Sequence, residues 1–329
     1  MLLGDGGLVY MLRAYRRAVK LIQNERITHL FSAYRPYADH LVAALLCRRF
    51  PHLVWVADFG DLHVGQVVGG VYLPKVQRWC NRRILARAAQ LTTVSYGLRK
   101  ALLEFHPHVS VLRNGFPKHT LQTNKNHPTT FTILYTGALY GGRSPEVLFR
   151  VLRRWLTAVS FPPDTLQLHY AGPHRSIWDK MVRTHALERI ATSEDSISPE
   201  GAIGWQRAAA INLMMVTAHP DLEGWLSLKL YNYLAARRPI LAIVNGGTDA
   251  ELATMIENYN GGLVVSDNHP DAEDQLQEWL TSQYHCWQTQ KLNLQSNITD
   301  LEKWSWERLV ADWLDQNLSD VNPDQRADP

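Results

Sequence analysis

Apolar residues along this chain fall into two alternating patterns. Residues 8–24 place Leu8, Leu12, Tyr15, Val19 and Ile22 on one helical face. A short apolar run at 27–31 predicts a strand. A helix over 36–49 follows, opened by Pro36 in the first turn, where a missing N–H costs nothing. LVWVA (53–57) is apolar throughout and predicts a strand buried on both faces. Next come a basic helix over 74–89, a strand over 91–94, a helix over 95–104 capped by Ser95, and a strand over 109–112 closing on the turn Asn114-Gly115.

The pattern stops at PKHTLQTNKNHPTT (117–130), a polar, proline-bounded stretch that predicts an interdomain linker. It resumes with strands over 131–136, 166–171, 211–216, 240–244 and 262–265, and a weaker one near Ile190. The helices between them fall near 145–157, 174–186, 204–210, 227–236, 248–257 and 270–295. No internal repeat interrupts this order. Strand–helix alternation in both halves predicts an α/β protein of two Rossmann-like domains, each a parallel sheet covered by helices, facing across a cleft. The expected boundaries are 1–118 for the first domain, 119–130 for the linker, 131–298 for the second domain, 299–318 for a last helix and 319–329 for an acidic, disordered tail.

Ligands of such sheets bind outside the carboxyl ends of the strands, so the residues there carry the candidate chemistry. The strand over 131–136 runs into TGALYGGR, where Gly137, Gly141 and Gly142 allow a close backbone approach and Arg143 can pair with a phosphate. A plain glycine turn would look the same, because neither GxGxxG nor a Walker lysine is present. The strand over 166–171 ends in Ala171-Gly172-Pro173, a sharp turn at the same edge. Near the fourth strand comes EGWLSLKLYNYLAA, with Ser227 as the expected N-cap and Lys229 within the first turn. A helix start is electropositive and suits an anion, whereas a lysine there opposes the dipole by ~0.5 kcal/mol unless an anion is bound. Glu223, in the loop before that helix, can accept bonds from two sugar hydroxyls, or simply be a solvated loop acid. In the first half, LVWVA ends in Asp58-Phe59-Gly60-Asp61, two acids suited to act as a base or as hydroxyl ligands, or to cap a turn. His40 and His63 lie near this stretch in sequence, and lone histidines usually serve structure.

Charge changes the picture more than composition does. Residues 1–120 hold 17 Lys/Arg against 6 Asp/Glu, and the rest of the chain 17 against 25. The basic half suits an anionic partner: lipid headgroups, a phosphate-bearing substrate or nucleic acid. No ribonucleoprotein motif, zinc-finger spacing or aromatic-interleaved basic strand supports the last, so nucleic acid is not expected. RAYRRAVK (13–20) and KVQRWCNRRILARA (75–88) are candidate contact faces for a membrane surface, or ordinary solvated helix faces. Cys47, Cys80 and Cys286 form no CxxC pair and read as reduced thiols of a cytosolic protein. No apolar run approaches the ~20 residues a membrane helix needs. The N-terminus lacks a signal-peptide pattern.

Taken in order, five stretches resemble the family 4-type glycosyltransferases of the two-Rossmann GT-B fold over roughly residues 27–318. VADFGD resembles the family's strand followed by Asp-x-x-Asp. LTTVSYGLRKALLEF with VLRNGF is similar to the passage that ends the first domain, and TILYTGALYGGRSPEVL to the opening of the nucleotide-sugar domain. SLKLYNYLAARRPILAI is similar to Lys-x-x-Glu-Tyr-Leu-Ala-x-Gly-x-Pro, and KWSWERLVADWL to the C-terminal helix that crosses back to the first domain. The resemblance implies a nucleoside-diphosphate sugar donor. Arg143, Lys229 and the backbone N–H groups near Ser227 and Leu228 would hold its diphosphate. Glu223 would face the sugar, and Asp58 and Asp61 would line the acceptor side. It also implies no metal and no cofactor, retention of anomeric configuration, and a glycan or lipid-linked acceptor, with the protein cytoplasmic or peripheral at the inner face of a membrane.

Two departures qualify this. Asn232 stands where the family has a ribose-binding glutamate, and a neutral partner binds a hydroxyl about half as strongly as a charged one. Only residues 1–26, opening MLLGDGGLVYMLRAYRR, precede the matching region, so the first domain is expected to lack its leading strands: a fragment or late start, a gap filled by a partner, or a minimal acceptor domain. These departures support an alternative, a non-catalytic nucleotide-sugar-binding or partner-binding relative. A sugar-nucleotide epimerase on the same architecture is a third reading.

Overall fold

The computed structural model describes residues 7–61, 74–121, 127–159, 161–162, 164–219, 222–259, 261–292 and 298–317. The chain packs as two compact units, one of residues up to Arg113 together with those from Leu309 onward, the other Asn114–Arg308. His63, residues 122–126 of the expected linker and the acidic tail fall outside the described residues.

The first unit holds a four-stranded, all-parallel sheet in the order β1 (His29–Tyr34), β2 (Val54–Phe59), β3 (Gln90–Thr93), β4 (Val109–Val111). Four helices alternate with these strands: α1 (Gly7–Asn24), α2 (Ala38–Arg49), α3 (Pro74–Leu85) and α4 (Tyr96–Leu102). Trp55, Ala57 and Leu91 are fully buried, as a parallel sheet between packed layers requires. Ser95 caps α4 as expected, accepting from the Leu98 N–H at 3.2 Å. Several boundaries differ from expectation by a few residues. The first strand starts at His29, because Ile27 closes a turn onto the Glu25 carbonyl. The second helix starts at Ala38, with Tyr37 rather than Pro36 at its border.

The second unit holds six parallel strands. In chain order they are β5 (Phe131–Thr136), β6 (Leu166–Ala171), β7 (Ala191–Glu194), β8 (Ile211–Thr217), β9 (Ile240–Asn245) and β10 (Gly262–Ser266). Its helices are α5 (Glu146–Ala158), α6 (Arg175–Thr184), α7 (Pro199–Ala208), α8 (Leu228–Ala236), α9 (Ala250–Glu257), α10 (Ala272–Gln288) and α11 (Ile298–Glu302), and α12 (Trp306–Asn317) begins in it. Spatial order is β10-β9-β8-β5-β6-β7, the doubly wound arrangement of nucleotide-binding sheets. Alternation on β8 explains its unbroken apolar run. Leu213 and Met215 pack with α5, α6 and α10, while Met214 and Val216 pack with α8 and α9. The expected helix over 204–210 begins earlier, at Pro199, because Ser198 caps it onto the Gly201 N–H with proline in the first turn. From Leu309 on, α12 belongs with the first unit, where Trp313 donates to the Ser110 hydroxyl (2.9 Å) and Asn317 accepts from Gln90 (2.7 Å).

Candidate functional site

In the second unit the strand order reverses between β5 and β8. These two strands pair only at Ile133–Ile211 and Leu134–Asn212, whereas β8 and β9 stay paired from Asn212 to Thr217. Past Leu134, then, β5 and β8 part toward their carboxyl ends and open the crevice in which such sheets bind ligands. A polar chain lines the split. Gln206 donates to the Thr136 hydroxyl (2.9 Å), Thr136 lies 3.3 Å from the Tyr233 hydroxyl, and Tyr233 donates to the Leu213 carbonyl (3.2 Å).

Lys229, in the first turn of α8, is drawn into this edge. Its Nζ donates to the Tyr135 hydroxyl at 3.2 Å and sits 4.4 Å from the centre of the Tyr135 ring. A Cβ on Gly137 would collide with that ammonium, so the glycine's bare face (φ +134°) houses the lysine rather than lying open to a ligand. Burial, and secondarily the charge of Arg143, pull the Lys229 pKa down to about 7. Burial pushes the Tyr135 hydroxyl pKa far up, with Arg143 partly offsetting it, so the hydroxyl stays neutral. Two cations therefore share one edge, and among the described residues no carboxylate pairs with Lys229.

Arg143 lies on the loop that follows β5. Gly141 (φ +64°) and Gly142 (φ +84°) take left-handed backbone, and a Cβ on Gly142 would press on Thr217. The loop is tied down on both sides. Asn245 accepts from the Ser144 N–H (3.1 Å) and donates to the Ser144 carbonyl (2.9 Å), while Thr217 donates to the Gly141 carbonyl (2.5 Å). The Arg143 guanidinium rests 4.5 Å from the Tyr140 ring centre, and that ring is well exposed. Arg143 thus reaches the Lys229 end of the crevice from a fixed loop.

Ser227 sits at the N-cap position of α8, but its hydroxyl makes no capping bond. The first N–H groups of a helix have no intrahelical acceptor, so those of Leu228 and Lys229 are available to an anion. Asn232 follows Lys229 by three residues and shares its side of the helix. Glu223 is exposed in the preceding loop. One functional residue was missed in the sequence. Asp249, buried at the start of α9, accepts from the Gly224 N–H (3.0 Å), the Trp225 N–H (3.0 Å) and the Leu252 N–H (3.0 Å). Its carboxylate thus caps α9 and fixes the loop bearing Glu223. The signal was there, an Asp before an apolar run, but only the cap could be read from it.

Asp58 and Asp61 belong to the first unit. Asp58 was expected in the loop beyond its strand; β2 extends to Phe59, so Asp58 is a strand residue at the carboxyl end. Burial raises its pKa, and the hydrogen bond from the Thr92 hydroxyl (2.6 Å) offsets part of that. Asp61 is exposed. His40 is buried against Phe59 and bonded to Ser32 (2.7 Å), a structural role. Among the described residues no three His, Cys, Asp or Glu side chains converge to hold a metal ion.

No protein-family model and no curated protein sequence matches the chain. Solved structures do. Sucrose-phosphate synthase from Thermosynechococcus elongatus aligns with 93% of this chain and 77% of its own at 14% identity and a TM-score of 0.65. A glycosyltransferase from Rickettsia africae aligns with 95% and 82% at 12% identity and 0.67. The Anabaena protein HepE, solved in complex with UDP-glucose, aligns with 93% and 82% at 13% identity and 0.63. This chain therefore has the two-Rossmann fold of GT-B glycosyltransferases.

Proposed function

We propose that this chain is a glycosyltransferase that moves a sugar from a nucleoside-diphosphate sugar to a glycan or lipid-linked acceptor, without a metal and with retention of configuration. One observation carries the reading: a half-buried lysine with no carboxylate partner at a helix N-terminus, at the switch point of a doubly wound sheet, with Arg143 beside it. A diphosphate would relieve the mutual repulsion of Lys229 and Arg143 and accept the open N–H groups of α8. The bond between the anomeric carbon and the diphosphate breaks, that carbon bonds the acceptor oxygen, and the leaving diphosphate takes the acceptor proton. Lys229 and Arg143 stabilise the charge that grows on the diphosphate, the kind of contribution that often dominates such catalysis. Glu223 holds sugar hydroxyls, and Asp58 and Asp61 orient the acceptor. Fold likeness supports this at the level of architecture, and the residues named supply the chemistry.

The test is thermal unfolding against a panel of nucleoside diphosphates and their sugars. A ligand at 100 times its Kd stabilises by ~2.7 kcal/mol. Stabilisation by one nucleotide series, abolished in Lys229→Ala, is the expected result; no response to any member overturns the reading. Asn232 favours the second reading, a donor-binding protein without transfer, because it offers ribose a neutral partner. Slow release of nucleoside diphosphate from the bound donor marks an enzyme. Donor bound with no release marks the binding protein.

A further inference from the structure

The aromatic floor beneath Lys229 does more than fill space. Tyr135 is the next-to-last residue of β5, and its ring is fully buried. It stacks with Tyr170 of β6 (ring centres 6.0 Å apart, planes at 25°) and with Trp178 of α6 (6.3 Å, 11°). Tyr170 and Trp178 stack on each other at 4.9 Å. A ring wedged in such a stack has one orientation, and its hydroxyl ends at the carboxyl edge of the sheet. Lys229 arrives from the other side. Tyr135 packs with α5 and α6, whereas the apolar side of α8 packs on the opposite face. The two meet across Gly137, where a Cβ would take the ammonium's place and come within 3.9 Å of the Tyr135 hydroxyl.

Hydrogen-bond counting fixes what that hydroxyl does. A phenol has one hydrogen to give, and an ammonium has three. Tyr135 gives its hydrogen to the Ala138 carbonyl at 2.9 Å, so it meets Lys229 as an acceptor, at 3.2 Å. With one ammonium hydrogen held by that oxygen and the ring face 4.4 Å away, the other two are directed away from the ring, into the crevice. Ala138 lies on the loop that leads to Arg143, so a single hydroxyl joins the helix bearing one cation to the loop bearing the other. The ionisable groups around this pair are Arg143 and Tyr140 from the loop, Tyr170 from β6 and Tyr233 from α8. Burial keeps the Tyr135 phenol neutral, so it contributes a dipole and no charge.

We propose that Tyr135 is the positioning residue for Lys229: its hydroxyl holds the ammonium on the crevice floor, with two N–H bonds turned to phosphate oxygens and Arg143 tied to the same point. The purpose of that hold rests on the reading of this edge as the diphosphate site; the hold itself does not. Tyr135→Phe keeps the ring, the stack and the cation–π contact and removes the hydroxyl alone. The experiment follows the Lys229 ε-methylene by NMR in the full-length protein labelled with carbon-13 at lysine Cε, the resonance being assigned by its absence from Lys229→Met. In the wild type it should be shifted upfield by the Tyr135 ring and should titrate near pH 7. In Tyr135→Phe the midpoint should fall by about one pH unit, because a half-buried ammonium loses its acceptor. Tyr170→Phe removes a neighbouring buried hydroxyl that accepts from the His174 N–H (3.0 Å), and should leave the midpoint in place. Inorganic pyrophosphate then reads the consequence: its affinity for Tyr135→Phe should drop about tenfold at pH 8 and much less at pH 6. In the Lys229→Met background, Tyr135→Phe should cause no further loss. An unshifted ε-resonance in the wild type overturns the inference whether or not Tyr135→Phe folds. So does an unchanged midpoint in Tyr135→Phe, or an equal loss of pyrophosphate affinity with and without Lys229. A midpoint that moves as expected while pyrophosphate binds neither protein upholds the grip of Tyr135 on Lys229 and overturns the diphosphate reading instead.

Discussion

The two sheets of this protein end in opposite charges. At the carboxyl edge of the first unit, β2 delivers Asp58; at that of the second, α8 and the loop after β5 deliver Lys229 and Arg143. Each edge keeps an ionisable group that its own burial disfavours. Burial raises the Asp58 pKa and lowers that of Lys229, in both cases toward the neutral form. Such groups cost the free protein stability, and they concentrate where a bound partner restores the charge. The parallel architecture, common to both units, supplies the edge, and a few side chains decide what it can bind.

Removing Lys229 tests the cationic edge with the largest expected effect. Lys229→Met should lower nucleoside diphosphate affinity by about 100-fold, the worth of a charge-assisted bond in a buried setting. The same change should make the free protein more stable. The lysine pKa falls from 10.5 to about 7 on folding, so the unfolded chain binds the extra proton between those values and wild-type stability rises with pH across that window. Below pH 7 the full burial penalty applies, and there the variant should gain most, on the order of a few kcal/mol. Isothermal titration in buffers of differing ionisation enthalpy should show proton uptake by the wild type on binding at pH 8, and none by Lys229→Met. A variant that binds diphosphate normally, or that melts earlier than wild type at pH 6, breaks the comparison.

Asp58→Asn is the counterpart on the acidic edge. Its folded pKa is raised, so its contribution to stability is present at low pH and lost as pH rises through the folded value. The variant should therefore melt slightly later than wild type at neutral pH. Transfer to acceptor should fall by at least about tenfold while donor affinity stays unchanged, since a misplaced acceptor costs at least that much. Loss of donor binding in Asp58→Asn would place this residue on the donor side and undo the contrast.

How much of this was legible beforehand differs between the two edges for a physical reason. Apolar residues at alternate or successive positions mark both of the second unit's first two strands, so residues 131–136 and 166–171 could be bounded to the residue. Arg143 and Lys229 were also readable, one after a glycine run and one against a helix dipole. The role of Gly137 was not, because the ammonium it houses comes from a helix far along the chain. Nor was the hold of Asp249 on the Glu223 loop, which joins two separate strand–helix connections. In the first unit the acids were seen, but β2 continued past its apolar run and carried Asp58 into the ladder against Thr92. Pattern reading finds elements and charges, whereas burial of a particular charge is a tertiary property.

Asp249→Ala sharpens the comparison by loosening the cationic edge without touching a cation. Three N–H groups lose their acceptor, which should cost about 2 kcal/mol of stability. Discrimination between donor sugars should suffer more than affinity for the bare diphosphate, because the loop carries Glu223. Asp249→Asn, which keeps an acceptor oxygen, should recover part of both. Equal losses for the diphosphate and its sugars would mean that the loop supports α8 rather than Glu223.

The smallest effect concerns the other end of α8, where strain exists with no ligand to relieve it. Arg237 holds the left-handed C-cap conformation (φ 55°, ψ 46°), at the position where the resembling segment has glycine. A side chain there costs about 1 kcal/mol, which glycine avoids at the expense of a more flexible unfolded chain. Arg237→Gly should therefore raise stability by about 0.5 kcal/mol, read as a small rise in chemical-denaturation midpoint at unchanged slope. The gain should be the same with and without nucleoside diphosphate. Lys229 and Arg237 then separate two costs carried by one helix: the first disappears when an anion binds, whereas the second persists in either state. If diphosphate erased the advantage of Arg237→Gly, the C-terminal end of α8 would be coupled to the binding edge, and the burial penalty at Lys229 could no longer be assigned to the ligand alone.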